Sequence, residues 1–171
     1  MEVTEIFGLT FQGEGPSVGR LAVFLRLRRC KLKCLWCDSK FSWDKNDPGY
    51  GQYRTMTVSE VYAEIAPRLT PNAMLVITGG EPLIWRKELQ ELVALFPLHR
   101  IEIETNGELI PLGLPYDLTV HYNVSPKLQS AQAGNKSLKQ FPGNHVTYKF
   151  VVAANYLEQD LKEIEAFAKD G

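Results

Sequence analysis

The sequence predicts an α/β protein whose mostly parallel sheet forms a partial, open (β/α) barrel. Segments with strand and helix character alternate along the chain, as expected when helices connect parallel strands. A closed barrel of eight such units takes about 250 residues, whereas this chain has 171. We therefore expect only part of a barrel, with residues 1–171 forming a single domain.

The composition is that of a folded protein with balanced charge. Hydrophobic residues make up 44% of the chain, and 19 basic residues face 20 acidic ones, for a net charge of −1. This balance excludes bulk electrostatic binding to nucleic acids or membranes. No apolar run is long enough to span a bilayer, and the acidic start lacks the pattern of a signal peptide. We expect a cytoplasmic protein with no nucleic-acid or membrane partner.

The first elements follow from local patterns. Residues 22–27 are rich in strand-forming side chains and predict the first strand. Thr57 is followed three residues later by Glu60, which is typical of a capping box at the start of a helix. Pro67 is expected to end or kink that helix. The short apolar run over 73–78 then predicts a buried parallel strand.

The second half continues the alternation. Four apolar residues at helical spacing predict a helix that stops at Pro97. Further strands are predicted over residues 101–105, 120–124 and 146–152. Asn155 and Glu158 form a second capping-type pair before a last helix. The buried stripe of that helix is predicted to consist of Leu157, Leu161, Ile164 and Ala168.

Chemically functional residues follow four of the predicted strands. The carboxyl ends of parallel strands meet at one rim of the sheet, where ligands of such folds bind. The segments concerned are residues 30–39, 78–82, 104–107 and 125–127. We therefore expect one site that is built from four loops.

Three cysteines, Cys30, Cys34 and Cys37, lie within eight residues of one another. An odd, clustered set does not resemble a disulfide framework. Iron–sulfur clusters bound entirely by protein generally use four ligands, so three local thiolates would leave one iron open. The alternative is a closed zinc site, which needs a fourth ligand. That ligand would be His99, His121 or His145, all distant in sequence.

The cysteine spacing, with Trp36 before the last cysteine, resembles the motif of the radical S-adenosylmethionine superfamily. The segment over 78–82 resembles the glycine-glycine-glutamate motif of that superfamily, in which glycines allow close approach to a ligand. The resemblance implies a catalytic [4Fe–4S] cluster on the three cysteines. The methionine part of S-adenosylmethionine would bind the open iron, and an external electron donor would drive its reductive cleavage.

The flanking segments resemble the 7-carboxy-7-deazaguanine synthase family. They comprise residues 11–16, 19–27, 37–39, 77–82, 104–107, 124–127 and 149–151. Members of this family convert 6-carboxy-5,6,7,8-tetrahydropterin into 7-carboxy-7-deazaguanine and release ammonia, with the assistance of Mg²⁺. The product enters the biosynthesis of queuosine-type deazapurines. The resemblance covers nearly the whole chain and implies a homodimer.

The resemblance also assigns roles to individual residues. The substrate-binding set is Phe11, Gln12, Gly13, Arg26 and Thr78. The set that binds S-adenosylmethionine is Trp36, Gly79, Gly80, Glu81, Glu104, Ser125, Pro126 and Lys127. Ser39 is the implied magnesium ligand. Arg26 points to the barrel interior if the even-numbered face of its strand is the inner one, and a guanidinium there matches a substrate carboxylate.

Some features depart from the family pattern. Ser39 replaces a threonine, and Arg29 stands where glycine is common. The sequence also ends one helix after residues 149–151, so we expect a chain cut short relative to the family. Such a chain should bind the cluster and S-adenosylmethionine but turn over the pterin poorly.

Two other functions compete with this interpretation. The first is an activating enzyme that installs a glycyl radical on a partner protein, because such enzymes share the cysteine motif and can be short. The second is a non-catalytic binding module that is stabilised by zinc.

Overall fold

One open sheet organises the part of the chain that the structure, a computed structural model, describes: residues 1–115, 118–133, 140–141 and 143–169. Its seven strands in these residues are β1 (Glu2–Phe11), β2 (Leu21–Leu27), β3 (Arg54–Thr55), β4 (Met74–Gly79), β5 (Ile101–Thr105), β6 (Val120–Val124) and β7 (Val146–Tyr148). Their order is β3-β1-β2-β4-β5-β6-β7. β1 runs antiparallel to β2 and β3, and the other pairs are parallel. The predicted fold class is confirmed.

The described residues form three α-helices: α1 (Val58–Ile65), α2 (Arg86–Ala94) and α3 (Leu157–Lys169). The predicted capping box is present at α1, where the side chains of Thr57 and Glu60 each bond the other's backbone N–H. α1 ends at Ile65, ahead of Pro67 as predicted. Among the described residues, no helix combines the length and apolarity needed to cross a membrane.

The two faces of the sheet have different partners. On β2, the odd-numbered Val23, Leu25 and Leu27 belong to the main core, which also contains the buried residues of α1 and α2. The even-numbered Ala22 and Phe24 lie on the opposite face, in a small cluster with Met74 and Val76 of β4. Helices therefore cover one face, and the other face is left for a site.

The prediction that 22–27 is the first strand was wrong, because β1 precedes it. β1 mixes acidic, apolar and threonine residues, and its register against β2 shifts twice. These irregularities break the simple alternation by which a half-buried strand is recognised. β7 also stops at Tyr148 and is shorter than the predicted 146–152.

The start of α3 differs from the prediction. A 3₁₀ turn over Ala154–Tyr156 precedes the helix, so Asn155 is not at its cap. The predicted apolar stripe is also not buried: Leu157 and Leu161 are 52% and 47% exposed, Ala168 is exposed, and Ile164 is half-buried.

Other contacts hold α3 in place. Asp160 is fully buried and accepts hydrogen bonds from Ser130 Oγ and the backbone N–H of Ala153, each at 2.9 Å. Phe167 packs edge-on against Tyr148 and Phe150. The helix is therefore anchored by a buried carboxylate and an aromatic contact.

Candidate active site

The four loops expected to build one site line a single cavity of about 510 Å³ at the carboxyl ends of the parallel strands. The lining residues that the sequence analysis named are Gln12, Gly13, Arg26, Cys30, Cys34, Trp36, Cys37, Ser39, Thr78, Gly79, Gly80, Glu104, Ser125 and Lys127. Phe24 also lines the cavity, which therefore lies on the even-numbered face of β2. The connection after β2 supplies the cysteines, and β4, β5 and β6 supply the other three loops.

The three cysteines are free thiols on the cavity wall, and Cys34 is buried. In the described part of the chain, no three His, Cys, Asp or Glu side chains converge closely enough to hold one metal ion. A tetrahedral zinc site would need thiolates about 2.3 Å from a shared centre. The three thiols nevertheless line the same cavity, as three ligands of one iron–sulfur cluster would.

Burial controls the charge of these thiols. It raises the pKa of Cys30 to about 12 and also raises the pKa of Cys34. Nearby Lys127, whose Nζ donates to Ser125 Oγ at 2.8 Å, opposes the shift at Cys34. Burial in turn lowers the pKa of Lys127. Thiolates therefore become favourable in this pocket when a cation replaces their protons, as in metal binding.

Two side-chain N–H groups approach the cysteine sulfurs. Trp43 Nε1 donates to Cys37 Sγ at 3.3 Å, and Asn106 Nδ2 lies 3.6 Å from Cys30 Sγ. Sequence reasoning missed both residues. Asn106 stood within the segment 104–107 that was singled out, whereas Trp43 carried no motif signal.

Gly79 and Gly80 serve the packing of two strands. Gly79 has a φ of +131°, and a Cβ there would collide with the backbone of Leu27. A Cβ on Gly80 would collide with the carbonyl of Arg29. The glycines thus allow close approach of the end of β2, and both also line the cavity, where the sequence analysis expects a ligand. Arg29 itself has a φ of +75°, a conformation that favours glycine.

Glu81 lies behind the cavity wall. The side chain is fully buried and is absent from the cavity lining. Its carboxylate accepts hydrogen bonds from the N–H of Leu83 (2.9 Å), the hydroxyl of Thr105 (2.8 Å) and the N–H of Asn106 (2.8 Å). Burial raises the pKa of Glu81, and these three donors oppose the rise. Glu81 thus ties the loop after β4 to the loop after β5.

Two other named residues do not line the cavity. Pro126 is buried beneath it, between Ser125 and Lys127, which do line it. Phe11 is 65% exposed at the end of β1. Both residues belong to segments that the sequence analysis identified, but neither side chain is among those that line the cavity.

The Gln12 side chain is 2% exposed, and its amide is engaged within the protein. Its Nε2 donates to Glu102 Oε2 and Glu104 Oε1, each at 3.0 Å, and its Oε1 accepts from the N–H of Glu14 at 3.2 Å. Asn123 Nδ2 also donates to Glu102, at 3.1 Å. These bonds form a buried network that orients Glu104 at the cavity wall.

Arg26 lines the cavity from β2, and its Nε donates to Glu5 Oε1 at 2.6 Å. The described contacts leave its two terminal nitrogens available for a carboxylate. Ser39 is buried, and its hydroxyl donates to Asp38 Oδ1 at 2.8 Å. Both Ser39 and Asp38 line the cavity. This pair supplies oxygen donors of the kind that Mg²⁺ prefers.

Glu14 and Lys149 form an ion pair across the cavity rim, and both line the cavity. They come from the β1–β2 connection and from the segment after β7. The sequence analysis gave neither side chain a role, although both lay in segments of family resemblance.

Comparisons with known proteins agree with this geometry. Residues 25–118 match the radical SAM superfamily. The chain is 39% identical to the 7-carboxy-7-deazaguanine synthase of Pyrobaculum aerophilum, over 98% of this chain and 72% of that protein. It is 41% identical to the enzyme of the same name from Hyperthermus butylicus, over 74% of this chain and 52% of that protein.

A solved structure is also similar. The crystal structure of QueE from Escherichia coli matches with a TM-score of 0.74 at 28% identity, over 96% of this chain and 76% of that one. The chain therefore spans about three quarters of two of these relatives and about half of the third.

Proposed function

The chain belongs to the 7-carboxy-7-deazaguanine synthase family of the radical S-adenosylmethionine superfamily, and on this premise we propose that it converts 6-carboxy-5,6,7,8-tetrahydropterin into 7-carboxy-7-deazaguanine with release of ammonia. The observation that carries the proposal is the single cavity in which three cysteine thiols and the Arg26 guanidinium face the same space. A cofactor-binding wall and an anion-binding side chain therefore lie within reach of one substrate.

The family's cofactors are a [4Fe–4S] cluster and S-adenosylmethionine, and the described residues fit them. When bound, the reduced cluster supplies the electron that cleaves S-adenosylmethionine and starts the radical reaction. Cys30, Cys34 and Cys37 would hold the cluster. The loops with Gly79, Gly80, Ser125 and Lys127 would bind S-adenosylmethionine from the adjacent wall.

We assign Glu104 to the hydroxyls of the ribose. Its carboxylate lines the cavity, and Gln12 fixes one of its oxygens. The other oxygen can accept hydrogen bonds from a diol. Glu81 acts indirectly, because it holds the loops that carry these contacts.

The substrate would lie on the inner face of β2 and β4. Arg26 would bind the pterin carboxylate through its terminal nitrogens, in a charge-assisted contact. Thr78 lines the cavity and pairs with Arg26 across the parallel strands, so it can contact the same substrate. The amide of Gln12 is occupied, so contacts from this loop to the pterin ring would use the backbone around Gly13.

Mg²⁺ would bind at Ser39. The hydroxyl and the neighbouring Asp38 carboxylate offer two oxygens on the cavity wall, and substrate oxygens and water would complete the coordination. If so, Ser39→Ala should raise the Mg²⁺ concentration needed for half-maximal turnover while iron content stays unchanged. An unchanged Mg²⁺ response would move the metal elsewhere.

The proposed function also includes an oligomeric state, an electron donor and a cellular compartment. We propose a cytoplasmic homodimer that draws electrons from an external one-electron donor. The exposed leucines of α3 support the dimer, since large apolar side chains in solvent favour association. Membership of the synthase family favours this function over a glycyl-radical activating enzyme or a zinc-stabilised module.

The test is anaerobic cluster reconstitution followed by incubation with S-adenosylmethionine, dithionite, Mg²⁺ and carboxytetrahydropterin. We expect 7-carboxy-7-deazaguanine from the wild type. The Arg26→Ala variant should form less product than the wild type by about tenfold or more, because charged hydrogen bonds contribute about 1.5–3 kcal/mol. Its substrate-independent formation of 5′-deoxyadenosine should persist.

Arg20→Ala is the matched control, because Arg20 is exposed, immediately precedes the same strand and lies outside the cavity lining. It should behave as wild type. No deazaguanine product from a wild type that holds its cluster and cleaves S-adenosylmethionine would refute the proposed substrate. Equal loss of both activities in Arg26→Ala would refute the role of Arg26.

A further inference from the structure

The indole N–H of Trp43 points at the sulfur of Cys37. The Nε1–Sγ distance is 3.3 Å, the shorter of the two N–H···S contacts to the cysteines. An indole nitrogen can only donate, and a neutral thiol is a weak acceptor. A thiolate on iron carries more negative charge and is the better acceptor for this donor.

The backbone around Trp43 is held to the cysteine loop. A 3₁₀ turn over Lys40–Ser42 leads into Trp43, whose N–H donates to the carbonyl of Lys40 at 3.0 Å. Ser42 is buried, and its carbonyl accepts from the N–H of Arg29, next to Cys30, at 3.0 Å. The backbone that carries the indole is therefore held at both ends of the loop.

We propose that Trp43 is a positioning residue for the cluster, whose N–H···S bond to Cys37 raises the cluster's reduction potential. This inference rests on the proposed function, since it presupposes a [4Fe–4S] cluster on the three cysteines. Adding one electron makes the cluster more negative, and hydrogen bonds to its sulfurs are among the features that set its potential. A donor to a ligating sulfur therefore stabilises the reduced form more than the oxidised form.

Neighbouring groups also lie near the other two cysteines. Asn106 Nδ2 is 3.6 Å from Cys30 Sγ, and Lys127 lines the same cavity as Cys34. Trp43 supplies a side-chain donor to Cys37. These three side chains come from different loops, so polar and cationic groups would approach the cluster from several sides.

The test is an EPR-monitored redox titration of reconstituted protein without S-adenosylmethionine, with dithionite as the one-electron donor. Trp43→Phe should lower the equilibrium constant for cluster reduction about tenfold, which is a shift of 59 mV to more negative potential for a one-electron couple. Trp85→Phe is the matched control, because its Nε1 donates to the carbonyl of Arg28 and Trp85 does not line the cavity. Its potential should equal that of the wild type.

A second substitution separates the hydrogen bond from packing. Site-specific replacement of Trp43 by benzothienylalanine keeps the bicyclic ring and removes the N–H, so it should reproduce the shift of Trp43→Phe. Unchanged potential in this variant, with wild-type iron and sulfide content, would overturn the proposal. A wild type without any iron–sulfur EPR signal would instead refute the cluster and hence the proposed function.

Discussion

At the residue scale, Glu2 shows how one carboxylate fixes the start of the chain against the cysteine loop. Glu2 is ion-paired with both Arg28 and Arg29, which immediately precede Cys30. Arg28 is also buried between the rings of Tyr50 and Tyr53, at 4.0 and 4.1 Å. The hydrogen bond from Arg29 holds the pKa of Glu2 below its ordinary value, and burial opposes this only in part.

This lowered pKa predicts a pH-dependent contribution to stability. A carboxyl whose folded pKa is depressed stabilises the fold above its unfolded pKa, here near 4.5, and this stabilisation is lost as pH falls through the folded value. Glu2→Gln should therefore cost about 1–3 kcal/mol in free energy of unfolding at pH 7. Urea denaturation should show that the difference from wild type shrinks as pH falls from about 4.5, the unfolded pKa, through the lower folded pKa.

Glu91→Gln is the control for this substitution. Glu91 is exposed on α2, so its loss should change the unfolding free energy little at either pH. A difference between Glu2→Gln and wild type that stays constant from pH 7 to pH 3 would contradict the role of the Glu2 charge.

The sequence was sufficient to predict which residues belong to the site, but less often where their side chains point. The spacing of Cys30, Cys34 and Cys37 placed the thiols together, and the alternation along β2 correctly directed Arg26 inward. The motif around Glu81 identified the residue but not its hydrogen bonds to Leu83, Thr105 and Asn106, because a motif does not show which way a carboxylate points. Trp43 was missed because its contact with Cys37 depends on how the loop folds.

At the scale of elements, regular patterns were predictable where local and tertiary preferences agree. The capping box at Thr57 and the apolar run of β4 both satisfy local propensity and core packing. In α3 the buried positions differ from the predicted apolar stripe. Leu157 and Leu161 are about half exposed in the described chain, and the buried residue of the helix is Asp160. Amphipathicity predicts that a helix has an apolar face but not what that face meets.

The Glu81 carboxylate links two such elements, the loops after β4 and β5. Glu81→Gln replaces one acceptor oxygen by an NH₂ group, which would oppose one of the donors from Leu83, Thr105 or Asn106. A lost buried hydrogen bond costs about 1–3 kcal/mol. We therefore expect affinity for S-adenosylmethionine to fall about tenfold although the side chain does not line the cavity.

Anaerobic calorimetry of reconstituted protein measures this affinity, and Glu91→Gln is again the control. The iron content of Glu81→Gln should remain at the wild-type value, because no cysteine is changed. An affinity equal to that of the wild type would show that the two loops keep their positions without the Glu81 carboxylate.

At the scale of the whole molecule, the sheet has one face under helices and one face at the cavity, and α3 carries an apolar surface outward. Leu157 and Leu161 are one helical turn apart and both are about half exposed. Val152 and Tyr156, just before the helix, are 38% and 40% exposed. A second copy of the chain that covers these side chains would remove apolar area from water, at about 25 cal/mol per Å².

The proposed homodimer therefore makes a prediction for α3. Leu161→Glu places a charge in the centre of the apolar surface, where burial without a partner is costly, and should convert a dimer into a monomer in sedimentation velocity.

Leu98→Glu makes the same chemical change at a leucine that is 92% exposed and distant in sequence from α3, so it should leave the dimer intact. A wild-type chain that sediments as a monomer, or dimers that persist in Leu161→Glu, would show that this surface does not join two copies. Loss of the dimer in Leu98→Glu but not in Leu161→Glu would place the interface near the α2–β5 connection.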